Sequence, residues 1–157
     1  MFFGTSCFAE TPSINMVRTL FQKAPTEENS CKELIRVLGS YNEKNNPLFS
    51  GYKACGTMMM AKYVFNPFSK LSYFKKGKNL LEKAILADAT NIELRFLRFS
   101  VQTNIPSFLG YDDDIENDKK FLILSLSAVK DQTLKAMIIS YFKKCGCLTN
   151  NENNKIK

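Results

Sequence analysis

The stretch 77–91, GKNLLEKAILADATN, decides the fold of this 157-residue chain. Gly77, Leu81 and Ala84 are spaced three or four positions apart, so they share one face of a helix. Small side chains on that face allow a neighbouring helix to approach closely. The next segment, with Asp88, Thr90 and Asn91, supplies a polar break from which a further helix can start. The stretch therefore predicts packed antiparallel helices joined by short turns.

The same helical spacing of apolar residues recurs along the chain, whereas strict alternation of apolar and polar residues is nearly absent. The five prolines lie near the ends of the expected helices and leave their interiors unbroken. We therefore expect an all-α fold of about seven antiparallel helices, forming a single domain over residues 11–147. Residues 148–157 offer little apolar surface, so we expect a disordered polar tail.

The run from Leu81 to Ile85, followed by Asp88 to Asn91, resembles the second helix and trailing turn of a tetratricopeptide repeat, with Ala89 in place of the usual proline. The match covers half a repeat. The chain is also similar to small exported helical proteins of bacteria. This resemblance implies a short right-handed solenoid of stacked helices, and a binding or scaffold role without catalysis.

The charge of the chain favours acidic partners or anionic surfaces, because 22 Lys and Arg oppose 15 Asp and Glu to give a formal +7. The sequence contains no His, the commonest general base and metal ligand, so we expect no catalytic residues, no metal site and no cofactor. A nucleic-acid partner is disfavoured because no binding module is present. No apolar run reaches the roughly 18 to 20 residues of a transmembrane helix.

Residues 1–10, MFFGTSCFAE, combine an apolar start with small side chains at Cys7 and Ala9, which is the spacing of a signal-peptidase site. A basic start is missing, and two interpretations stay open. The segment is either the remnant of a signal peptide cleaved after Ala9 or an apolar terminus that packs on the fold. We favour the first interpretation, which predicts export to the periplasm or the exterior rather than a cytoplasmic location.

The remaining cysteines form two groups. Cys31 and Cys55 lie within helical patterns, where we expect free buried thiols, although an oxidising compartment would allow disulfides. Cys145 and Cys147 flank Gly146, which we expect to cap the last helix. A metal site or a redox pair is the alternative for these two thiols.

The candidate partner-binding site lies on the third and fifth helices, which would line the groove of a helical-repeat scaffold. Arg95 and Arg98 are three positions apart and are expected to clamp a carboxylate or phosphate group. Tyr52, Lys53 and Lys62 are expected to contribute from the adjacent helix. The alternative is a solvated basic edge whose aliphatic stems cover the core.

Two further segments invite a functional interpretation. Residues 66–76, NPFSKLSYFKK, mix aromatic side chains with lysines, as membrane-surface segments do. We favour the simpler interpretation that Phe68 and Tyr73 fix this segment on the core, with Ser69 capping the helix that follows. Residues 111–118, YDDDIEND, carry enough oxygens for calcium, but an acidic start of the sixth helix explains them better.

Three functions remain open. The first is a noncatalytic helical adaptor or scaffold that binds a peptide or acidic partner on the basic groove. The second is a carrier of an apolar or lipid-like ligand between helices, suggested by six Met and thirteen Phe. The third is an enzyme that uses carboxylates such as Glu93 and Asp112, although no paired acid and base are evident. We favour the adaptor, with a protein or peptide as its partner and peripheral membrane contact as a further option.

Overall fold

The computed structural model describes residues 11–156, and every regular element within this range is helical. The expected all-α class is therefore confirmed, with eight α-helices where the sequence predicts about seven. The α-helices are α1 (Ile14–Lys23), α2 (Glu28–Val37), α3 (Pro47–Met59), α4 (Pro67–Ala87), α5 (Ile92–Gln102), α6 (Ile115–Ser125), α7 (Gln132–Cys145) and α8 (Asn150–Lys155). Short 3-10 helices cover Met60–Lys62, Ser107–Leu109 and Leu126–Ala128. The predicted signal-peptide remnant at residues 1–10 lies outside the described residues.

Most helix starts are fixed by a polar side chain that accepts a hydrogen bond from a first-turn amide. Residues in this role are Ser13, Asn46, Asn66, Asn91, Asp131 and Thr149. Helix α4 begins at Pro67, and Asn66 rather than the predicted Ser69 is its cap. The reason is that the fixed φ of proline suits the first helical position, where a missing amide hydrogen costs little.

The helices pack both on their sequence neighbours and on alternate helices. Helix α3 makes its most extensive contact with α4, and α1, α2, α5 and α6 likewise contact the helix next to them in sequence. In addition, α1 contacts α3, α3 contacts α5, and α5 contacts α7. The odd-numbered helices therefore form a continuous row. One apolar core runs through this row, with Tyr52, Phe99 and Ile138 among its fully buried members.

Gly77 lies at the close approach of α3 and α4, as the sequence predicts. A Cβ atom built on Gly77 would meet Met58 Cγ, and it would lie 2.6 Å from Ala54 O and 2.9 Å from Met58 N. Leu81 and Ala84, on the same face of α4, are fully buried. The predicted small-residue face thus packs directly against the backbone of the neighbouring helix.

The simpler interpretation holds for Cys31 and Cys55, whereas Cys145 and Cys147 are not the separate thiols that it implied. Cys31 and Cys55 are free and buried, and burial raises the pKa of the Cys31 thiol to about 11. Gly146 ends α7 in the left-handed conformation with φ 61°, which confirms its predicted role as the cap. Cys145 and Cys147, on either side of it, are joined by a disulfide.

The segment predicted as a disordered tail contains helix α8. Thr149 and Glu152 form a capping box, in which the Glu152 carboxylate accepts from the Thr149 amide at 2.7 Å and the Thr149 hydroxyl accepts from the Glu152 amide at 3.3 Å. Ile156 is only 6% exposed and packs on the core. These reciprocal bonds and one apolar anchor supply the contacts that composition alone does not show.

Candidate functional site

Tyr52, the first predicted site residue, belongs to a buried polar network. Its hydroxyl donates a hydrogen bond to Glu93 Oε1, across from α3 to α5. Arg18 of α1 donates two hydrogen bonds to the same carboxylate, from Nε to Oε1 at 2.7 Å and from Nη2 to Oε2 at 2.8 Å. Arg18 Nη1 also lies 2.8 Å from the carboxylate of Asp131, the cap of α7. This network ties the odd-numbered helices together, and it leaves neither Tyr52 nor Glu93 open to a partner or a substrate.

Arg98 belongs to a second network, centred on the fully buried Asp118 of α6. Arg98 Nε lies 2.7 Å from Asp118 Oδ2, and Arg98 Nη2 lies 3.0 Å from Oδ1. The remaining nitrogen, Nη1, lies 3.0 Å from Glu82 Oε2 and 3.1 Å from Asp114 Oδ2. Tyr111 completes the network by donating its hydroxyl hydrogen bond to Glu82. The residues predicted as an acidic helix start therefore serve in part as internal partners of an arginine.

Arg95 also pairs with Asp118 and stacks its guanidinium over Phe121, 4.7 Å from the ring centroid. Arg95 and Arg98 do share a helix face, as their spacing predicts, but that face meets α6. The predicted clamp for an external carboxylate is therefore occupied by a carboxylate of the protein itself. These arginines hold α5 and α6 together.

The Tyr52 network predicts a specific response to alkaline pH. Burial, followed by the charge of Glu93, raises the pKa of Tyr52 well above its ordinary value. The unfolded chain therefore loses this proton first as the pH rises, and ionisation favours unfolding. The contribution of Tyr52 is fully present below the unfolded pKa of about 10 and is lost as the pH rises above it.

We expect Tyr52→Phe to reduce the loss of stability above about pH 10, by at most about 1.4 kcal/mol per pH unit. The variant should cost about 1 kcal/mol at neutral pH, because the hydrogen bond to Glu93 is lost. Urea denaturation followed by circular dichroism across the alkaline range measures both effects. Parallel pH profiles for the variant and the wild type would contradict the expectation.

Lys53 and Lys62, the other predicted site residues, differ from the arginines in their exposure. Lys62 is exposed, and Lys53 is half-buried with its ammonium donating to the carbonyl oxygens of Gly39 and Tyr41. Burial, and then the positive charge of Lys76, lowers the pKa of Lys53. The structure thus places charges from α3 and α4 on a common side of the molecule.

Positive charge is concentrated in one segment that the spacing argument missed. Residues 44–81 contain seven lysines and neither Asp nor Glu, and seven is also the formal net charge of the whole chain. The rest of the sequence is therefore balanced. We call residues 44–81, which form α3 and most of α4, the basic hairpin. Its lysines are Lys44, Lys53, Lys62, Lys70, Lys75, Lys76 and Lys78. The long run without any acidic residue is the sequence signal that identifies the basic hairpin.

The start of α4 presents apolar side chains to solvent beside these lysines. Phe65 is 99% exposed, Phe68 is 84% exposed and Leu71 is 42% exposed. The prediction that Phe68 packs on the core is wrong, whereas Tyr73 does pack against a small buried cluster. Because Gly77 fixes the buried face of α4, Phe68 falls on the opposite face, nine positions away. An open groove of about 510 Å³ follows that outer face.

A separate cavity of about 350 Å³ lies near the end of α5 and is lined in part by the disulfide between Cys145 and Cys147. Gln102 also lines it, is 3% exposed, and has no hydrogen-bond partner for either side-chain amide atom. An unpaired amide makes such a wall unfavourable for an apolar ligand. The cavity therefore gives little support to the carrier hypothesis.

Set against known protein families, curated proteins and solved structures, the chain matches none of them. The resemblance to tetratricopeptide repeats therefore stays a prediction. In residues 11–156, no helix is long and apolar enough to cross a bilayer. The function is accordingly argued from the basic hairpin and its exposed apolar side chains.

Proposed function

We propose that this protein is a noncatalytic helical adaptor that binds an acidic partner through the basic hairpin. The observation that carries the proposal is the confinement of the excess positive charge to residues 44–81. Summed charge on one part of a surface attracts molecules of opposite charge and orients them during encounter. Because the remaining sequence carries no net charge, this segment attracts an acidic molecule most strongly.

The availability of the lysine ammonium groups supports the same assignment. Lys70, Lys75 and Lys76 are exposed, and within the described residues the structure gives them no ion pair. The two buried arginine networks, in contrast, are already neutralised by Glu93 and Asp118. The proposal therefore keeps Lys53 and Lys62 from the predicted site and assigns Tyr52, Arg95 and Arg98 to the scaffold.

The scaffold in this proposal is a short right-handed solenoid similar to tetratricopeptide repeats. Contacts of α1 with α3, α3 with α5, and α5 with α7 support it, since stacked helix pairs bring alternate helices together. Each pair then contacts its neighbours and leaves an extended face for a partner. A rigid scaffold of this kind positions the basic hairpin without any catalytic group.

Poly-L-glutamate provides a direct test of binding to an acidic polymer. We expect the wild type to bind it at low salt and to release it as the salt concentration rises. The triple variant Lys70→Gln, Lys75→Gln, Lys76→Gln should lower the affinity about tenfold, because three exposed charge contacts are lost. Isothermal titration calorimetry measures the affinity.

The matched control removes three exposed lysines outside the basic hairpin, namely Lys120→Gln, Lys130→Gln and Lys143→Gln. Both variants carry the same net charge, so they separate position from total charge. The control should retain most of the wild-type affinity. An equal loss in the two variants would contradict the assigned location, and absence of wild-type binding would contradict the proposed function itself.

A further inference from the structure

We infer that the acidic partner of the basic hairpin is the surface of an anionic phospholipid bilayer. The inference rests on the proposed function, because it names the partner of the same site. Two observations lead to it, the exposed apolar side chains at the start of α4 and the lysines around them. Neither observation alone selects a membrane. Together they match the apolar acyl-chain layer and the anionic headgroup layer of a lipid surface.

The apolar part consists of Phe65, Phe68 and Leu71, which are close together in sequence and are all exposed. Phe65 lies in the turn before α4, and the other two lie in its first turns. The Asn66 side chain accepts hydrogen bonds from the amide of Phe68 at 2.8 Å and from that of Ser69 at 3.3 Å. This cap fixes the backbone from which Phe68 projects, so the apolar group is held outward before any partner binds.

The charged part follows the apolar part along the same helix. Phe68, Leu71, Ser72, Lys75 and Lys76 line one open groove, and the first four recur at the spacing of a single helix face. Lys70, between Phe68 and Leu71 in α4, is exposed as well. Lysines can lay their aliphatic stems along an apolar layer while their ammonium groups reach lipid phosphates. This order of aromatic and basic residues is typical of peripheral membrane segments.

A lipid surface fits the shape of this region better than an acidic protein does. Phe65 precedes α4 and Phe68 lies in its first turn, and both side chains project into solvent, Phe68 at the edge of the open groove. A projecting apolar side chain needs a complementary cavity in a folded partner, but a fluid interface yields around it. Moreover, the span from residue 44 to residue 81 contains no carboxylate that would repel lipid phosphate groups.

Vesicle co-sedimentation with the full chain tests the inference. We expect binding to equimolar phosphatidylglycerol and phosphatidylcholine vesicles at about 0.1 M salt, release at about 1 M salt, and no binding to pure phosphatidylcholine. The double variant Lys75→Gln, Lys76→Gln should lower partitioning by about fivefold per lysine. The double variant Phe65→Ser, Phe68→Ser should lower it about tenfold while leaving poly-L-glutamate affinity unchanged.

The matched control changes two equally exposed apolar residues elsewhere, Leu86→Ser and Phe108→Ser, and should keep wild-type partitioning. Because Phe65 and Phe68 are exposed, their variant should keep the wild-type circular dichroism spectrum and urea midpoint. Binding to poly-L-glutamate without binding to anionic vesicles would overturn the membrane inference and leave the proposed function standing. Equal vesicle partitioning of the Phe65 and Phe68 variant and the wild type would also overturn it. Failure with both probes would refute the proposed function.

Discussion

Replacing Asp118 by asparagine is expected to lower the free energy of unfolding by about 3–5 kcal/mol, the usual cost of breaking a buried ion pair by removing one partner. Asp118 is fully buried and accepts hydrogen bonds from Arg98 and Arg95. Asparagine keeps the shape of the side chain but turns one acceptor into a donor that faces guanidinium donors. Glu82 and Asp114 contact only Nη1 of Arg98, so Nε and Nη2 would face the amide, and Arg95 would lose its carboxylate partner.

This loss is a large part of the about 5–15 kcal/mol that holds a typical domain folded. Urea denaturation followed by circular dichroism measures it, with Asp113→Asn as the control because Asp113 is exposed in the same segment. The control should change stability by less than about 0.5 kcal/mol. An Asp118→Asn variant that falls within about 1 kcal/mol of the wild type would show that the buried network contributes far less than its geometry indicates.

The helices could be predicted because their signals are local. Gly77, Leu81 and Ala84 define the buried face of α4 through spacing alone, and the structure confirms it. Asn91 before Ile92 marks the start of α5 in the same way, since a short polar side chain caps the first turn. These features depend on residues within one or two turns, so sequence order is enough to find them.

The arginine site could not be predicted because its partners are distant in sequence. Spacing places Arg95 and Arg98 on one face, but it does not state whether that face meets solvent or another helix. Asp118 decides the question from α6, and Glu82 contributes from α4. An Arg98→Ala variant would leave the buried Asp118 with a reduced set of partners, so lost binding in such a variant would reflect instability rather than a lost clamp.

Two other errors had signals in the sequence. The run from Thr149 to Glu152 has the spacing of a capping box, which outweighs the polar composition that predicted disorder. Pro67 favours the first position of a helix, so α4 starts earlier than the spacing around Ser69 suggested. Once α4 starts there, the position of Gly77 on the buried face requires that Phe68 point away from it.

The close contact at Gly77 leads to the second large effect, because Gly77→Ala is expected to destabilise the protein by about 2 kcal/mol. A methyl group there would collide with Met58 Cγ and with backbone atoms of α3, including Ala54 O at 2.6 Å. Backbone atoms cannot rotate aside, so the two helices must separate. Alanine normally favours a helix by about 1 kcal/mol over glycine, which makes a net loss of stability a clear sign of the collision.

Gly51→Ala is the informative comparison, because the three atoms nearest to a Cβ on Gly51 are side-chain methyl groups, those of Leu94, Leu97 and Leu81. Methyl groups can shift by rotation of a side chain, so this substitution should cost less than Gly77→Ala. Asn79→Ala, on the exposed side of α4, should be neutral or stabilising. Urea midpoints rank the three variants. If Gly77→Ala proved as stable as Asn79→Ala, α3 and α4 would lie farther apart in solution than the contact at Gly77 indicates. The contact would then no longer fix which face of α4 is buried, and the outward direction of Phe68 would lose its support.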